Sequence, residues 1–109
     1  MDRREPGKRP AWLKSDNSYD LLVPFEYGIG QDRYAVASLK LRRLTAADML
    51  ILDEAIPYTE KLLKIVEAMT GLLRPATLKI DAVDMDRIDD ILGYFREPGS
   101  ATGATSSAS

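Results

Sequence analysis

Leu39-Lys40-Leu41-Arg42-Arg43-Leu44-Thr45-Ala46-Ala47-Asp48-Met49-Leu50-Ile51-Leu52 decides the fold, because the apolar spacing changes inside it. As far as Leu41 apolar and polar side chains alternate, the period of a strand with one buried face. Beyond Leu44 the pattern is helical, and Thr45-Ala46-Ala47-Asp48 has the form of a capping box with Asp in place of Glu. A strand that passes directly into a capped helix predicts an α+β chain.

Working toward the N-terminus, Tyr34 to Leu41 is expected to place Ala35, Ala37, Leu39 and Leu41 on one face. Gly28-Ile29-Gly30-Gln31-Asp32 supplies turn residues, and Leu21 to Tyr27 is β-prone, with Pro24 suited to an edge strand because it donates nothing to a ladder. Together these segments predict a β-hairpin, which is marginal in water and must pack on something else. Residues 1–20 combine Arg3, Arg4, Lys8 and Arg9 with Pro6 and Pro10 and show no period, so they are expected to form a mobile basic arm, with Trp12 and Leu13 docking locally.

Toward the C-terminus, the helix opened by Thr45 is expected to run through Ala55, with Pro57 ending it or starting the next. Leu62, Ile65, Val66 and Met69 recur at spacings of three and four, predicting a helix from Tyr58 to Thr70 with a Glu60/Lys64 pair outside and Gly71 as its C-cap. Leu72 to Ile80 contains Pro75 and reads as a loop that buries Leu78 or Ile80. Asp81 or Asp84 then caps a third helix, whose apolar stripe is Met85, Ile88, Leu92 and Phe95. Residues 98–109 hold no large apolar side chain and cannot offset the entropy of ordering, which predicts a disordered tail. The architecture expected is one α+β domain over residues 21–97, a β-hairpin packed on three helices, between disordered termini.

Composition narrows the function. The 109 residues carry 15 Lys and Arg against 17 Asp and Glu, a net charge of −2, so bulk charge points to no polyanionic partner. Cysteine and histidine are both absent, which removes disulfides, thiolate zinc sites and the side chains most used as nucleophile or general base near neutral pH. No segment reads as a secretory signal or a membrane span.

Asp81, Asp84, Asp86, Asp89 and Asp90 invite a hard-cation site, but an EF-hand loop beginning at Asp84 would need an oxygen ligand and then glycine where this chain has Ile88 and Asp89. Gly28-Ile29-Gly30 lacks the third glycine of a phosphate loop and joins two strands, so it reads as a turn. The arm with Arg42 and Arg43 could meet nucleic-acid phosphates, although only Trp12 and Tyr19 offer stacking there. No catalytic group, metal or cofactor is expected. The run Met49-Leu50-Ile51-Leu52 says more, because four consecutive large apolar residues wrap more than one face of a helix. A partner-binding surface is therefore expected from Met49, Leu50, Leu52 and Ile56, helped by Leu63 and Met69, with self-association on the same patches.

The ordered set Leu22-x-Pro24, Tyr34, Leu39-x-Leu41-Arg42-Arg43-Leu44-Thr45-x-x-Asp48, Ala68-Met69-Thr70-Gly71-Leu72 and Ile80-Asp81-x-x-Asp84 leading to Leu92 and Phe95 resembles the tail assembly chaperone family of Mu-like contractile-tailed phages and prophages. The resemblance spans roughly Leu21 to Phe95. It implies a non-enzymatic protein of the bacterial host cytoplasm that binds the long tape measure protein, contacts the tail tube subunit, and is absent from the finished virion. It also implies a longer product made by translational frameshifting. The alternatives are a small nucleic-acid-binding regulator and a structural protein that stays in the tail.

Overall fold

The computed structural model describes residues 8–98. Over that span β1 (Ser18–Tyr27) and β2 (Tyr34–Lys40) form an antiparallel hairpin, followed by α1 (Ala46–Leu52), α2 (Tyr58–Thr70), α3 (Arg74–Thr77) and α4 (Ala82–Phe95). The fold is α+β, as the change of period at Leu41 requires. The hairpin packs on the helices through β1 against α3 and α4 and β2 against α2, while α1 lies on α2. Tyr19, Ile65, Val66, Ile88 and Ile91 are completely buried between the two layers. A fully buried aliphatic side chain of this size contributes about 1.5–3 kcal/mol.

The strands do not pair evenly. Asp20 faces Ser38 and Phe25 faces Val36, so Leu21 to Pro24 stand opposite Ala37 alone. The three additional residues in β1 make a wide bulge, where Pro24 has no N–H to leave unpaired. An odd number of extra residues also reverses the faces, because side chains alternate along a strand. Tyr19 consequently pairs with Leu39 but Phe25 with Val36. Val36 is buried while Ala35 and Ala37 are exposed, contrary to the single alternating face expected of β2. At the hairpin tip Gly28 has φ 105°, and a Cβ there would collide with the Asp32 carbonyl.

The basic arm expected over residues 1–20 is corrected where it is described. Leu13 bridges to Tyr19, Asn17 accepts from the Leu41 N–H at 2.9 Å, and Pro10, Leu13 and Tyr19 are buried, so the segment from Pro10 onward is part of the fold. Arg9 is spent on this segment: it donates to the Leu13 and Lys14 carbonyls and to Asn17 Oδ1. Residues 1–7 of that arm, and the expected tail from residue 99 on, lie outside the described residues.

α2 has the predicted bounds, with Gly71 as a left-handed C-cap at φ 79°. α1 is shorter than predicted and ends at Leu52, with Asp53 as its C-cap. Asp81 is the N-cap of α4 and accepts from the Val83 N–H at 2.9 Å. The loop predicted over Leu72 to Ile80 contains a further one-turn helix, α3, with Pro75 in its first turn. Its anchor is Glu67 on α2, which accepts from Arg74 Nε at 2.5 Å and from the Thr77 hydroxyl at 2.7 Å. Glu60 accepts from Arg74 as well, at 3.0 Å, and Lys64 pairs with Glu54 at 2.7 Å, so both members of the predicted Glu60/Lys64 pair have other partners.

Burial alone would push the Glu67 carboxyl up, but hydrogen bonds from Arg74 and Thr77 more than counter it and hold the carboxyl below its ordinary 4.5. A depressed carboxyl adds stability above its unfolded value and gives it back as the pH falls through its folded value. The urea midpoint of the wild type is therefore expected to drop as pH is lowered from 4.5, and a Glu67→Gln variant to drop less over the same interval. Parallel titration curves for the two proteins would show that Glu67 does not hold α3.

Candidate functional site

The first turns of α2, the α3–α4 connection and the first half of α4 surround a gap. The result is an open groove of about 460 Å³. Its apolar surface comes from Leu62 and Leu63 of α2, Leu78 and Ile80 of the connection and Met85 of α4. Tyr58, Asp86 and Asp89 line its polar side, and the Tyr58 hydroxyl donates to Asp89 at 2.5 Å.

The groove follows from local choices in the chain. Consecutive residues on a helix lie about 100° apart, so Leu62 and Leu63 diverge: Leu62 joins the contiguous core cluster, while Leu63 is buried outside it, on the groove. The clamp of Glu67 on Arg74 and Thr77 fixes where α3 ends. Directly after it, Ile80 turns inward at 8% exposure and Leu78 is left 64% exposed. Asp86 and Asp89 are three apart on α4 and so share a face.

The six residues predicted to bind a partner do not form one surface. Met49 and Leu50 are exposed on α1, Leu50 at 70%. Leu52 packs against the core beside a small cavity of about 80 Å³ shared with Leu44 and Leu92. Ile56 is half-buried between α1 and α2. Leu63, expected to be exposed, is buried at 7% and contributes to the groove floor. Met69 lies at the far end of α2, in a separate depression of about 330 Å³ that runs along residues 35–40 of β2. The strip expected across α1 and α2 thus reduces to Met49 and Leu50, and the larger apolar opening is a different one. Tyr58, Leu78 and Met85 were not singled out for it. The only signal in the chain was that Leu78 and Ile80 compete for one buried place.

The aspartates of α4 go to separate tasks. Asp81 caps the helix and Asp89 accepts from Tyr58. Asp84 is completely buried and reaches across to β1, where its carboxylate accepts from the Tyr19 hydroxyl and from the N–H groups of Leu22 and Val23 at 2.8 and 3.1 Å. The bulge frees those two N–H groups from the ladder, and Asp84 takes the place of the missing strand partner. Among the described residues no group of three or more Asp or Glu side chains is placed to hold a metal ion, and no helix is long and apolar enough to cross a membrane.

No family model matches the chain, and neither does any curated protein or solved structure.

Proposed function

We propose that this chain is a protein-binding module of the tail assembly chaperone kind, which holds apolar helical segments of a client such as a tape measure protein and keeps them from aggregating. The observation that carries this reading is the groove between α2 and α4, whose apolar residues include the 64% exposed Leu78. An exposed leucine beside an open apolar floor costs solubility unless something covers it, and a helix laid in a groove is the usual way to do so. Met49 and Leu50 on α1 provide a second, smaller apolar contact. Two arginines that a nucleic-acid reading would use are engaged within the chain: Arg9 bonds to main-chain carbonyls, and Arg42 to Asp48 at 2.7 Å.

Co-expression with a tape measure protein tests the proposal. Wild-type protein is expected to keep the client in the soluble fraction. Leu78→Asp is expected to reduce the soluble client severalfold, since a charge placed in an apolar contact costs about 2 kcal/mol or more. Leu50→Asp should produce a smaller loss. If Leu78→Asp folds normally by circular dichroism and still protects the client fully, the groove is not the client site.

A further inference from the structure

We infer that the outer edge of β2 pairs with the same edge of a second copy, joining two hairpins into one four-stranded antiparallel sheet. The chain treats the two edges of its hairpin differently. Along β1, the Lys14 N–H donates to the Ser18 carbonyl at 3.0 Å, Leu13 bridges to Tyr19, Asp84 accepts from the Leu22 and Val23 N–H groups, and Pro24 has none to offer. Only Phe25 to Tyr27 follow before the tip. β2 has no such cover. Its one strand partner is β1, and its seven residues carry a single charge, Lys40 at the end. An open, nearly uncharged edge is a template for another strand unless proline, charge or a covering segment blocks it.

The hydrogen bonds show which groups are on offer. The Leu41 N–H donates to the Asn17 carbonyl at 2.9 Å, so Leu41 and, two residues back, Leu39 turn their main chain toward β1. Ser38 and Lys40 therefore turn their N–H and C=O outward, and among the described residues nothing bonds to those groups. Beside this edge the depression along residues 35–40 lies open, with Met69 and Leu72 as its apolar wall. A row of strand main-chain groups is satisfied by another strand, which bonds to each in turn.

The strand fits itself. Tyr34–Lys40 pairs along its whole length with an antiparallel copy in one register only, centred on Ala37. There Val36 faces Ser38, Ala35 faces Leu39 and Tyr34 faces Lys40, so no two like charges meet. The exposed Ala37 faces its own copy at a non-hydrogen-bonded position, where the strands come closest and a small side chain fits. Each copy spends the same edge, and the three residues left open on β1 are too few to extend the sheet, so assembly stops at two. The depression shares no lining residue with the groove between α2 and α4, so this pairing does not depend on the groove being the client site.

Sedimentation velocity of the intact protein over about 5–500 µM is expected to show a monomer–dimer equilibrium, with a dissociation constant of about 1–100 µM for so small an interface. Ala37→Lys sets two ammonium groups face to face and is expected to weaken the dimer about tenfold or more. The chain has no cysteine, so Ala37→Cys and Ala35→Cys are single-thiol probes of the register. With oxidised glutathione, Ala37→Cys should become a disulfide-linked dimer, because position 37 faces itself. Ala35→Cys should not, because the two copies of position 35 lie about 13 Å apart along the strands, beyond the reach of a disulfide.

A wild-type protein that stays monomeric through that range overturns the proposal, whatever else binds the edge. So do assemblies larger than a dimer, a dimer that Ala37→Lys leaves unchanged, and equal cross-linking of the two cysteine variants. The cysteine comparison stands without the lysine variant, so a poorly folded Ala37→Lys does not shield the proposal.

Discussion

Asp84→Ala is expected to lower the stability of the fold by about 3–5 kcal/mol, the largest effect of any single polar substitution here. The carboxylate has no exposure and serves three donors on β1: the Tyr19 hydroxyl and the N–H groups of Leu22 and Val23. Alanine leaves all three without their acceptor, at about 1–3 kcal/mol for each donor that water cannot reach. The share of the two amides is discounted, because the side chains of Leu22 and Val23 are 53% and 46% exposed and water can approach from their side. The Tyr19 hydroxyl has no such access. Burial first, and then the bond to Asp84, pushes the phenol far above its ordinary 10.0, so it remains a donor throughout the neutral range. Tyr19→Phe should cost less, about 1–2 kcal/mol, because Asp84 keeps both amides. Against a typical total of about 5–15 kcal/mol, the loss in Asp84→Ala leaves a marginal fold. Urea unfolding followed by the fluorescence of Trp12, the chain's one tryptophan, measures these differences. A cost below about 1 kcal/mol would mean that the bulge does not depend on Asp84.

Asp84 also shows what the chain discloses about itself. Helices α2 and α4 were legible because their apolar spacing, their caps at Gly71 and Asp81, and their lengths agree. Asp84 was legible only as a possible cap, since its real partners are more than 60 positions away in sequence. The same holds for the bulge. Nothing in Leu21 to Pro24 announces three unpaired residues, and with them the reversal that buries Val36 instead of Ala35 and Ala37. Tyr19 and Leu13 sit in a polar, proline-bearing context that looks like an arm, yet both are core residues.

The run Met49-Leu50-Ile51-Leu52 was correctly too apolar for one face, but composition could not say which half turns inward. Ile51 and Leu52 pack against the core, and Met49 and Leu50 stay exposed. The groove was illegible for a related reason. It exists because Glu67 fixes α3 through Arg74 and Thr77, and that contact determines which of Leu78 and Ile80 is buried.

Arg42→Met is expected to cost about 2–3 kcal/mol at neutral pH and progressively less in acid. Asp48 closes the capping box of α1, accepting from the Thr45 N–H at 2.7 Å, and it is almost wholly buried, whereas its partner Arg42 is 40% exposed. Burial pushes the Asp48 carboxyl up, but the Arg42 guanidinium and the Thr45 N–H more than offset it, so the group titrates below its ordinary 3.8. Removing Arg42 leaves a buried carboxylate with only the donors of Thr45. The usual 3–5 kcal/mol for breaking a buried pair is reduced here because one partner was already partly hydrated.

Removing Asp48 is the milder change. The freed guanidinium turns to water and the helix loses its cap, so Asp48→Ala should cost about 1–2 kcal/mol. Combining Arg42→Met with Asp48→Leu should recover about 1 kcal/mol relative to Arg42→Met alone, because no buried charge remains. The depressed carboxyl contributes fully above 3.8 and loses that contribution as pH falls through its lower folded value. The gap between wild type and Arg42→Met must therefore narrow as acid protonates Asp48, first in the variant, where burial is no longer offset by Arg42, and close once Asp48 is protonated in both. A gap that stays constant from pH 7 down to pH 2.5 would show that Arg42 acts through the packing of its aliphatic stem and not through its charge.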